Sequence, residues 1–324
     1  MTGKNRAMFL CVSPNPAIDK RLTVSCLLRG EVNRVRAVQS FPGGKAVHVA
    51  MVLQTLGGHP HWIGPCGGAS GENLKAGLSA LGIRSTACAT CQPTRTNLEI
   101  VEEDGSVTEI LEPGSPLGPA EWTEFEGACR KAFADDSENQ SVIFSGSLPA
   151  HARPELYAHL ISTARESGCK TFLDTSGEPL GLALAAKPYF VKPNREETTL
   201  ILGTAINTVR EASAAIRKLL GLGAQSAALS LGSEGLLFCA GADAAVLFAP
   251  ALPLEARSTV GCGDSALAGF AFALASAYSP QDALRLAAAC AAANCLADSP
   301  GAAKQKDIQD FQRQIAVQTV VSNS

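Results

Sequence analysis

Hydrophobic and polar positions follow two alternating patterns along most of the chain. Short apolar runs such as MFLCVS (8–13), VIFS (142–145) and AALSLG (227–232) are typical of strands buried on both faces of a parallel sheet. Segments between them, such as AVHVAMVLQTL (46–56), place apolar residues at helical spacing. This alternation predicts an α/β fold: a doubly wound, mostly parallel sheet with helices on both faces. Three further runs have the same character as the first set: HWIG (61–64), TFLD (171–174) and YFVK (189–192).

Two regions break this alternation. Residues 32–41 (VNRVRAVQSF) alternate with period two, and residues 96–112 resemble a hairpin around Asp104–Gly105. They predict a small antiparallel sheet, inserted at about 20–41 and 95–112, that forms a lid. A small sheet needs cover on one face, so we expect a substrate beneath the lid, a second copy of the chain against it in a homodimer, or both. The last 60 residues are predicted to be helical.

Composition excludes several classes of protein. The 27 basic and 30 acidic side chains give a net charge of −3, which argues against a nucleic-acid partner. No apolar run approaches the roughly 18 residues that span a bilayer, and the start, MTGKNRAMFLCVSPNPAID, suggests neither a signal peptide nor an anchor. The eleven scattered cysteines predict reduced thiols in the cytoplasm. One pair, Cys88 and Cys91, lacks the second pair that a structural zinc needs.

The clearest chemical signal is STVGCGDSALAGF (258–270), a glycine-rich turn that enters an apolar helix. Backbone N–H groups and the helix N-terminus make such a turn a site for anionic oxygens. Asp264 lies inside it, either as a simple helix cap or as a base that takes a proton from an attacking hydroxyl. Gly261-x-Gly263-x-x-Ala266 also matches a short dinucleotide fingerprint, although an acid there would repel a resting pyrophosphate. With no P-loop string, the turn favours phosphoryl transfer of another type.

The chain resembles the ribokinase-like sugar kinases of the phosphofructokinase B family, especially the 1-phosphofructokinase and tagatose-6-phosphate kinase branch. The resemblance covers nearly the whole chain and implies a single kinase domain over residues 1–324. Nine strings carry it in order: SPNPAID (13–19), RGEVNRV (29–35), PGGKAVHVA (42–50), TRTN (94–97), FSGSLP (144–149), LDTSGEPL (173–180), VKPNREE (191–197), SLGSEG (230–235) and STVGCGDS (258–265).

The resemblance implies that the γ-phosphoryl group of ATP passes, with Mg²⁺, to a hydroxyl of a sugar phosphate. Fructose 1-phosphate, tagatose 6-phosphate and fructose 6-phosphate remain open as that substrate. By the same resemblance Asp264 is the catalytic base, and the amides of Gly261, Cys262, Gly263 and Asp264 form the anion hole. Cys262 stands where the family usually has alanine, and its thiol makes the loop a candidate oxidation site.

On the sugar side the resemblance assigns hydroxyl binding to Asp19, whose alternative is a turn residue after Asn15–Pro16. Arg95 is expected to grip a substrate phosphate, against the alternative of a surface ion pair. The other expected substrate-binding residues are Gly43, Gly44, Lys45, His48, Asn97 and one of Ser145 and Ser147.

On the nucleotide side the KPNxxE motif falls on Lys192, Asn194 and Glu197. The resemblance implies that they place Mg²⁺, through water, and the nucleotide phosphates; a solvated helix residue is the alternative for Glu197. The other residues expected at ATP are Ser230, Gly232, Gly235 and Asn294, although packing of an alanine-rich helix is the alternative for the segment of Asn294.

Two residues depart from the branch pattern GGKGxNVA. Ala46 replaces a glycine, and His48 replaces an asparagine that usually bonds the sugar. His48 either changes the substrate or packs as a satisfied helix histidine. The alternatives to a sugar-phosphate kinase are a kinase-derived nucleotide- or sugar-binding protein with little activity, a kinase for an unphosphorylated sugar or nucleoside, and a dinucleotide oxidoreductase.

Overall fold

The computed structural model describes residues 8–135 and 140–320. The first seven residues of the segment for which we expected neither a signal peptide nor an anchor lie outside that range. In chain order the strands are β1 (Met8–Val12), β2 (Ala17–Thr23), β3 (Ala37–Gly43), β4 (His59–Cys66), β5 (Arg84–Ala89), β6 (Arg95–Val101), β7 (Val107–Ile110), β8 (Ser141–Ser145), β9 (Lys170–Asp174), β10 (Phe190–Val191), β11 (Ser226–Ser230), β12 (Gly235–Cys239), β13 (Val246–Pro250) and β14 (Gln318–Thr319).

Helices connect most of these strands, and α1 begins and ends within one residue of the segment predicted over 46–56. They are α1 (Lys45–Thr55), α2 (Gly68–Ala80), α3 (Pro119–Ala134), α4 (Leu156–Glu166), α5 (Gly177–Ala185), α6 (Arg195–Leu202), α7 (Val209–Gly221), α8 (Cys262–Ala275), α9 (Pro280–Cys295) and α10 (Gln305–Gln314). In the part of the chain that the structure describes, no helix combines the length and apolarity that a bilayer crossing requires.

Ten strands form the central sheet in the order β14-β13-β12-β11-β10-β9-β8-β1-β4-β5. The pairs from β11 through β1 to β5 are parallel, which confirms the doubly wound prediction. The edge formed by β12, β13 and β14 is antiparallel and was not predicted. Because β1 lies between β4 and β8, the chain reverses its winding there, and ligand sites form at such a point.

Both faces of this sheet are covered by helices. Along β1, Phe9 and Cys11 join one buried cluster with α1, α8 and α9, whereas Leu10 and Val12 join the other with α3, α4 and α7. Successive side chains of a strand point to opposite faces, so a strand covered on both sides must be apolar throughout. That is why this strand reads as an unbroken apolar run.

The lid is a separate four-stranded sheet in the order β3-β2-β6-β7. The hairpin prediction is confirmed: β6 and β7 pair antiparallel, and the turn between them includes Gly105 at φ +87°. The central pair, β2 with β6, is parallel, so the lid is not wholly antiparallel. The strand predicted over 32–41 begins only at Ala37, because the side chain of Asn33 bonds the backbone N–H and C=O of Leu28 and closes a loop.

Candidate active site

The carboxyl ends of adjacent strands hold the predicted site residues in a row. Ser230 ends β11, Lys192 and Asn194 follow β10, and Ser145 ends β8. In the lid, β2 follows β1 along the chain and carries Asp19; β6 places Asn97 opposite Asp19 and Arg95 opposite Ala17. The expected nucleotide residues therefore occupy one end of the row, and the expected sugar residues occupy the other.

The glycine-rich turn caps helix α8. Gly261 is the N-cap at φ +81°, a conformation that favours glycine, and an added Cβ would lie 2.9 Å from Cβ of Pro300. Asp264 is in the first helical turn and only 5% exposed, and its side chain caps no backbone N–H there. The simple-cap interpretation of Asp264 is therefore wrong. The helix N-terminus and the turn together direct partial positive charge at this point.

His48, on α1, lies between the two carboxylates that the sequence singled out. Its Nδ1 is 2.8 Å from Oδ2 of Asp264, and its Nε2 is 2.8 Å from Oδ2 of Asp19. His48 is 5% exposed, so it is buried, and both of its ring nitrogens are hydrogen-bonded to carboxylates of other elements. The other departure, Ala46, is fully buried in the hydrophobic core.

The two carboxylates hold His48 in its charged form. Burial lowers the pKa of His48, but hydrogen bonds and charges from Asp19 and Asp264 outweigh burial and raise it to about 10. Burial likewise raises the pKa of Asp19, but the bond and charge of His48 and a bond from Asn97 lower it on balance. An imidazolium donates from both nitrogens, so one cation bridges the expected base and the expected sugar-binding acid.

Asp19 is in strand β2, so the turn alternative is wrong. Asn97 Nδ2 donates to its Oδ1 at 3.0 Å, and the Gly44 amide donates to its Oδ2 at 3.3 Å. A Cβ at Gly43 would lie 2.2 Å from Cγ of Asp19. Only glycine therefore fits beneath this carboxylate.

A buried acid that the sequence reasoning left without a role, Asp174, joins two of the predicted lysines. Lys192 Nζ is 2.7 Å from its Oδ2, and Lys45 Nζ is 3.1 Å from its Oδ1. Burial raises the pKa of Asp174, but the two lysines outweigh burial and lower it to about 2. Both ammonium groups therefore bond the same carboxylate. An added Cβ on Gly263 would lie 3.4 Å from Lys192 Nζ, so the Lys192 ammonium lies against the anion loop.

The guanidinium of Arg95 is held by backbone carbonyls. Nη1 donates to the Glu112 carbonyl at 2.7 Å and Nη2 to that of Asn15 at 3.0 Å. Within residues 8–135 and 140–320 no carboxylate forms an ion pair with it, so the surface ion-pair alternative is wrong. Burial lowers the pKa of Arg95, and an anionic ligand would offset that desolvation.

Three expected substrate residues carry buried polar atoms that have no hydrogen-bond partner: Nε of Arg95, Oδ1 of Asn97 and Oγ of Ser145. Buried polar atoms are normally paired, so this grouping is what a site for a polar ligand requires. Ser147 differs, because it is exposed and accepts a bond from Nδ2 of Asn15 at 3.3 Å.

On the nucleotide side, Asn194 and Glu197 form a reciprocal cap at the start of α6. Asn194 Oδ1 accepts from the Glu197 amide at 2.7 Å, and Glu197 Oε2 accepts from the Asn194 amide at 2.9 Å. Burial, and next the charge of Asp174, raise the pKa of Glu197. Glu197 is thus not a freely solvated helix residue, and a divalent cation nearby would favour its charged form.

The remaining residues expected at ATP have different structural roles. Ser230 forms an isolated bridge with Asn194, and Gly232 has φ +59°. A Cβ on Gly235 would lie 2.2 Å from the Ala249 carbonyl oxygen, so strand packing alone requires that glycine. Asn294 donates to the Val260 carbonyl at 2.8 Å and accepts from the Gly301 amide at 2.8 Å. Its amide thereby fixes the start of the anion loop.

A second unpredicted connection runs from the lid to the anion loop. Arg21 on β2 and Glu99 on β6 form a two-bond ion pair at 2.8 and 3.0 Å. The Ser258 hydroxyl donates to Oε1 of Glu99 at 3.0 Å. The alternation of β6 places Glu99 on the same face as Asn97, which is the one sequence signal that could have indicated this contact. We name Arg21, Glu99 and Ser258 the latch.

The family model for "pfkB family carbohydrate kinase" matches residues 15–307, most of the chain. The chain belongs to this family. It is 38% identical over 287 residues to a 1-phosphofructokinase of Rhodobacter capsulatus, covering 86% of this chain and 87% of that one. A 1-phosphofructokinase of Xanthomonas campestris pv. campestris is 34% identical over 270 residues, covering 82% and 83%.

Solved structures agree with this pfkB membership. Phosphofructokinase-2 of Escherichia coli, in complex with substrates and products, superposes with a TM-score of 0.87 at 26% identity and covers 95% of this chain and 99% of its own. The resemblance found in the sequence motifs is therefore confirmed, and the chain is an ATP-dependent sugar kinase. The dinucleotide interpretation of Gly261-x-Gly263 is wrong; that turn follows β13 and not the first strand.

Proposed function

We propose that this pfkB kinase transfers the γ-phosphoryl group of ATP to a hydroxyl of a hexose phosphate, with Asp264 as the general base. Fructose 1-phosphate is the first candidate, because relatives at 38% and 34% identity are named 1-phosphofructokinase. Tagatose 6-phosphate and fructose 6-phosphate are the other two. One observation carries the proposal: Asp264 lies at the N-terminus of α8 and is joined through His48 to Asp19 on the sugar side.

The geometry divides the reaction between two groups of residues. Asp264 accepts the proton of the attacking hydroxyl, which makes the oxygen a better nucleophile. The amides of Gly261, Gly263 and Asp264 and the ammonium of Lys192 stabilise the charge that develops on the transferred group. The Cys262 amide, expected among these donors, instead donates to the Thr259 carbonyl at 3.2 Å. Because these donors are already oriented by the turn and the helix, little reorganisation is needed when charge develops.

Asp19, Asn97 and His48 orient the sugar. Asp19 accepts hydrogen bonds from sugar hydroxyls, and the unpaired Oδ1 of Asn97 accepts another. His48 holds the two carboxylates at a fixed separation and offsets one of their negative charges, which lets them lie close together in a buried site. It is a positioning residue that links sugar orientation to the base.

Arg95 and Ser145 complete the substrate side. The Arg95 guanidinium has no ion-pair partner among the described residues, and its Nε has no hydrogen bond, so a substrate phosphate would find both charge and a free donor. Ser145 offers a buried, unpaired hydroxyl. We assign substrate contact to Ser145 rather than Ser147 for that reason. The loop of Gly43, Gly44 and Lys45 lies beneath the sugar.

ATP is assigned to the end of the row formed by Lys192, Asn194 and Glu197 with Ser230, Gly232 and Gly235. The carboxylate of Glu197 and the amide of Asn194 are hard oxygen donors of the kind that suit hydrated Mg²⁺, and the charge of Asp174 adds to the negative potential around Glu197. Bound Mg²⁺ would offset phosphate charge there. Asn294, whose amide is fully used, positions the anion loop from behind.

We further propose that two copies associate through their lids, in the single kinase domain expected over 1–324. Apolar side chains are exposed on or beside the lid strands, which is what a paired surface needs. They are Leu28, Val32, Val35, Val38, Ile110 and Leu111, between 45% and 82% exposed. A reducing cytoplasm remains the proposed location, supported by eleven unpaired cysteines.

The deciding experiment is a panel of sugars and sugar phosphates assayed for ADP release with Mg-ATP. We expect turnover with at least one hexose phosphate, and a loss of roughly 10²- to 10⁴-fold in kcat for Asp264→Asn, the scale of a general base. Asp243→Asn, at an exposed turn, is the matched control. Thermal protection by Mg-ATP with no turnover on any member would favour a binding protein. Turnover confined to unphosphorylated sugars or nucleosides would refute the assigned substrate class.

A further inference from the structure

Two thiols meet behind the anion loop. Sγ of Cys262, the residue after Gly261, lies 3.3 Å from Sγ of Cys295, the last residue of α9. All eleven cysteines lie within the described residues, and none of them is in a disulfide. Of the other nine, seven are buried and two, Cys26 and Cys91, are exposed. We propose that Cys262 and Cys295 form a reversible disulfide that switches off phosphoryl transfer.

The surroundings allow the bond to form. A disulfide has sulfurs about 2.05 Å apart, so the two sulfurs must approach by roughly 1.2 Å from their separation of 3.3 Å. Both cysteines are partly exposed, which gives a small oxidant access. The hydrogen bond from the Cys262 thiol lowers the pKa of Cys295. The pair therefore favours Cys295 as the thiolate that reacts first.

The chemistry balances with a hydroperoxide as oxidant. The Cys295 thiolate attacks one peroxide oxygen, the O–O bond breaks, and a sulfenic acid forms while the departing hydroxide takes up a proton. The Cys262 sulfur then attacks the sulfenic sulfur. The S–S bond forms as the S–O bond breaks, and the leaving hydroxide takes the thiol proton of Cys262 as water. Two thiols and one hydrogen peroxide give one disulfide and two waters.

The switch acts on the anion loop because Cys262 is part of it. Asn294, the neighbour of Cys295, donates to the Val260 carbonyl at 2.8 Å and to Cys262 Sγ at 3.4 Å, and the Arg257 amide donates to the Cys295 carbonyl at 2.8 Å. Drawing the Cys262 sulfur toward α9 breaks its hydrogen bond from Asn294. It also moves the backbone of the anion loop at Cys262, two residues before Asp264. A misplacement of about 1 Å can cost 10²-fold in rate.

The test treats the reduced, desalted enzyme with hydrogen peroxide, removes the oxidant with catalase and compares three chains. In the natural chain we expect a 262–295 linked peptide lacking two hydrogens, a loss of at least tenfold in kcat, and recovery with dithiothreitol. A Cys26→Ser, Cys91→Ser double variant, which removes the exposed thiols, should behave in the same way. Cys295→Ser should keep its activity at the same dose.

Two results would overturn the inference. One is the absence of the linked peptide from the oxidised natural chain, a measurement that needs neither a variant nor a known substrate. The other is an equal loss of activity in Cys295→Ser, which would assign the sensitivity to another group. Because peptide mapping is independent of turnover, failure of the disulfide is distinguishable from failure of the proposed sugar-phosphate activity.

Discussion

Replacing His48 by asparagine should make the folding stability of the protein depend less on pH in the alkaline range. The folded-state pKa of His48 is about 10, above the 6.5 of an ordinary histidine. For a group whose pKa rises on folding, the stabilisation is complete below the unfolded value and is lost as pH rises through the folded value. His48→Asn removes this proton-linked contribution and leaves Asp19 and Asp264 without a shared cation.

The magnitude follows from proton counting. Between pH 7 and 9 the folded chain keeps one proton on His48 that the unfolded chain has mostly released. The free energy of unfolding should then fall by up to about 1.4 kcal/mol per pH unit more steeply in the natural chain than in the variant. Over these two units the stability advantage of the natural chain should shrink by about 2–3 kcal/mol. Groups that titrate in both chains cancel in the difference.

Urea unfolding followed by circular dichroism at pH 7, 8 and 9 measures this difference directly. His151→Asn is the matched control, because His151 is exposed and has φ +60°, a conformation that asparagine tolerates; its curve should run parallel to that of the natural chain. Imidazole ¹⁵N spectra provide a second measurement, since the chain has only five histidines. A constant difference between the natural chain and His48→Asn from pH 7 to 9 would refute the charged bridge.

Three further predictions concern separate parts of the site. Arg95→Ala should reduce kcat/KM for a hexose phosphate about 10- to 150-fold and barely affect unphosphorylated sugars; equal losses would make Arg95 structural. Asp174→Asn should lower the unfolding free energy at pH 7 by about 3–5 kcal/mol. Because folding lowers the pKa of Asp174 from 3.8 to about 2, this difference should narrow by about 2–3 kcal/mol as acid protonates Asp174 in the natural chain; a difference unchanged by acid contradicts the prediction. Val38→Glu on the lid should reduce the mass measured by light scattering from that of a dimer to that of a monomer, whereas Leu200→Glu on α6, 72% exposed, should not. Light scattering that shows only monomer for the natural chain would refute the proposed dimer.

Local signals in the sequence were sufficient for most of the fold. The apolar runs predicted the central parallel strands, and Asp104–Gly105 marked the lid hairpin, because a buried strand and a tight turn each have a composition of their own. The antiparallel edge formed by β12 and β13 was missed. Its residues are as apolar as those of a parallel strand, and the direction of pairing is not encoded in that composition.

The site was predictable where one residue type in one motif decides the chemistry, as for Asp264 in the glycine-rich turn. It was not predictable where the meaning lies in a contact between distant segments. The role of Asp174 is visible only in the structure, where Lys45 and Lys192 both bond it. The same holds for Cys295, which α9 places in contact with Cys262. His48 was recognised as a departure, but its two carboxylate partners come from a lid strand and a helix far along the chain.

The latch connects the lid, on the sugar side of the site, to the segment that leads into the anion loop, on the phosphate side. Lifting the lid away from the body requires the bond between Ser258 and Glu99 to break, and Ser258 begins the segment that becomes the anion loop. If a bound sugar holds the lid against the body, it also holds the segment that begins at Ser258. By thermodynamic reciprocity, any factor by which bound sugar changes nucleotide binding must equal the factor by which bound nucleotide changes sugar binding.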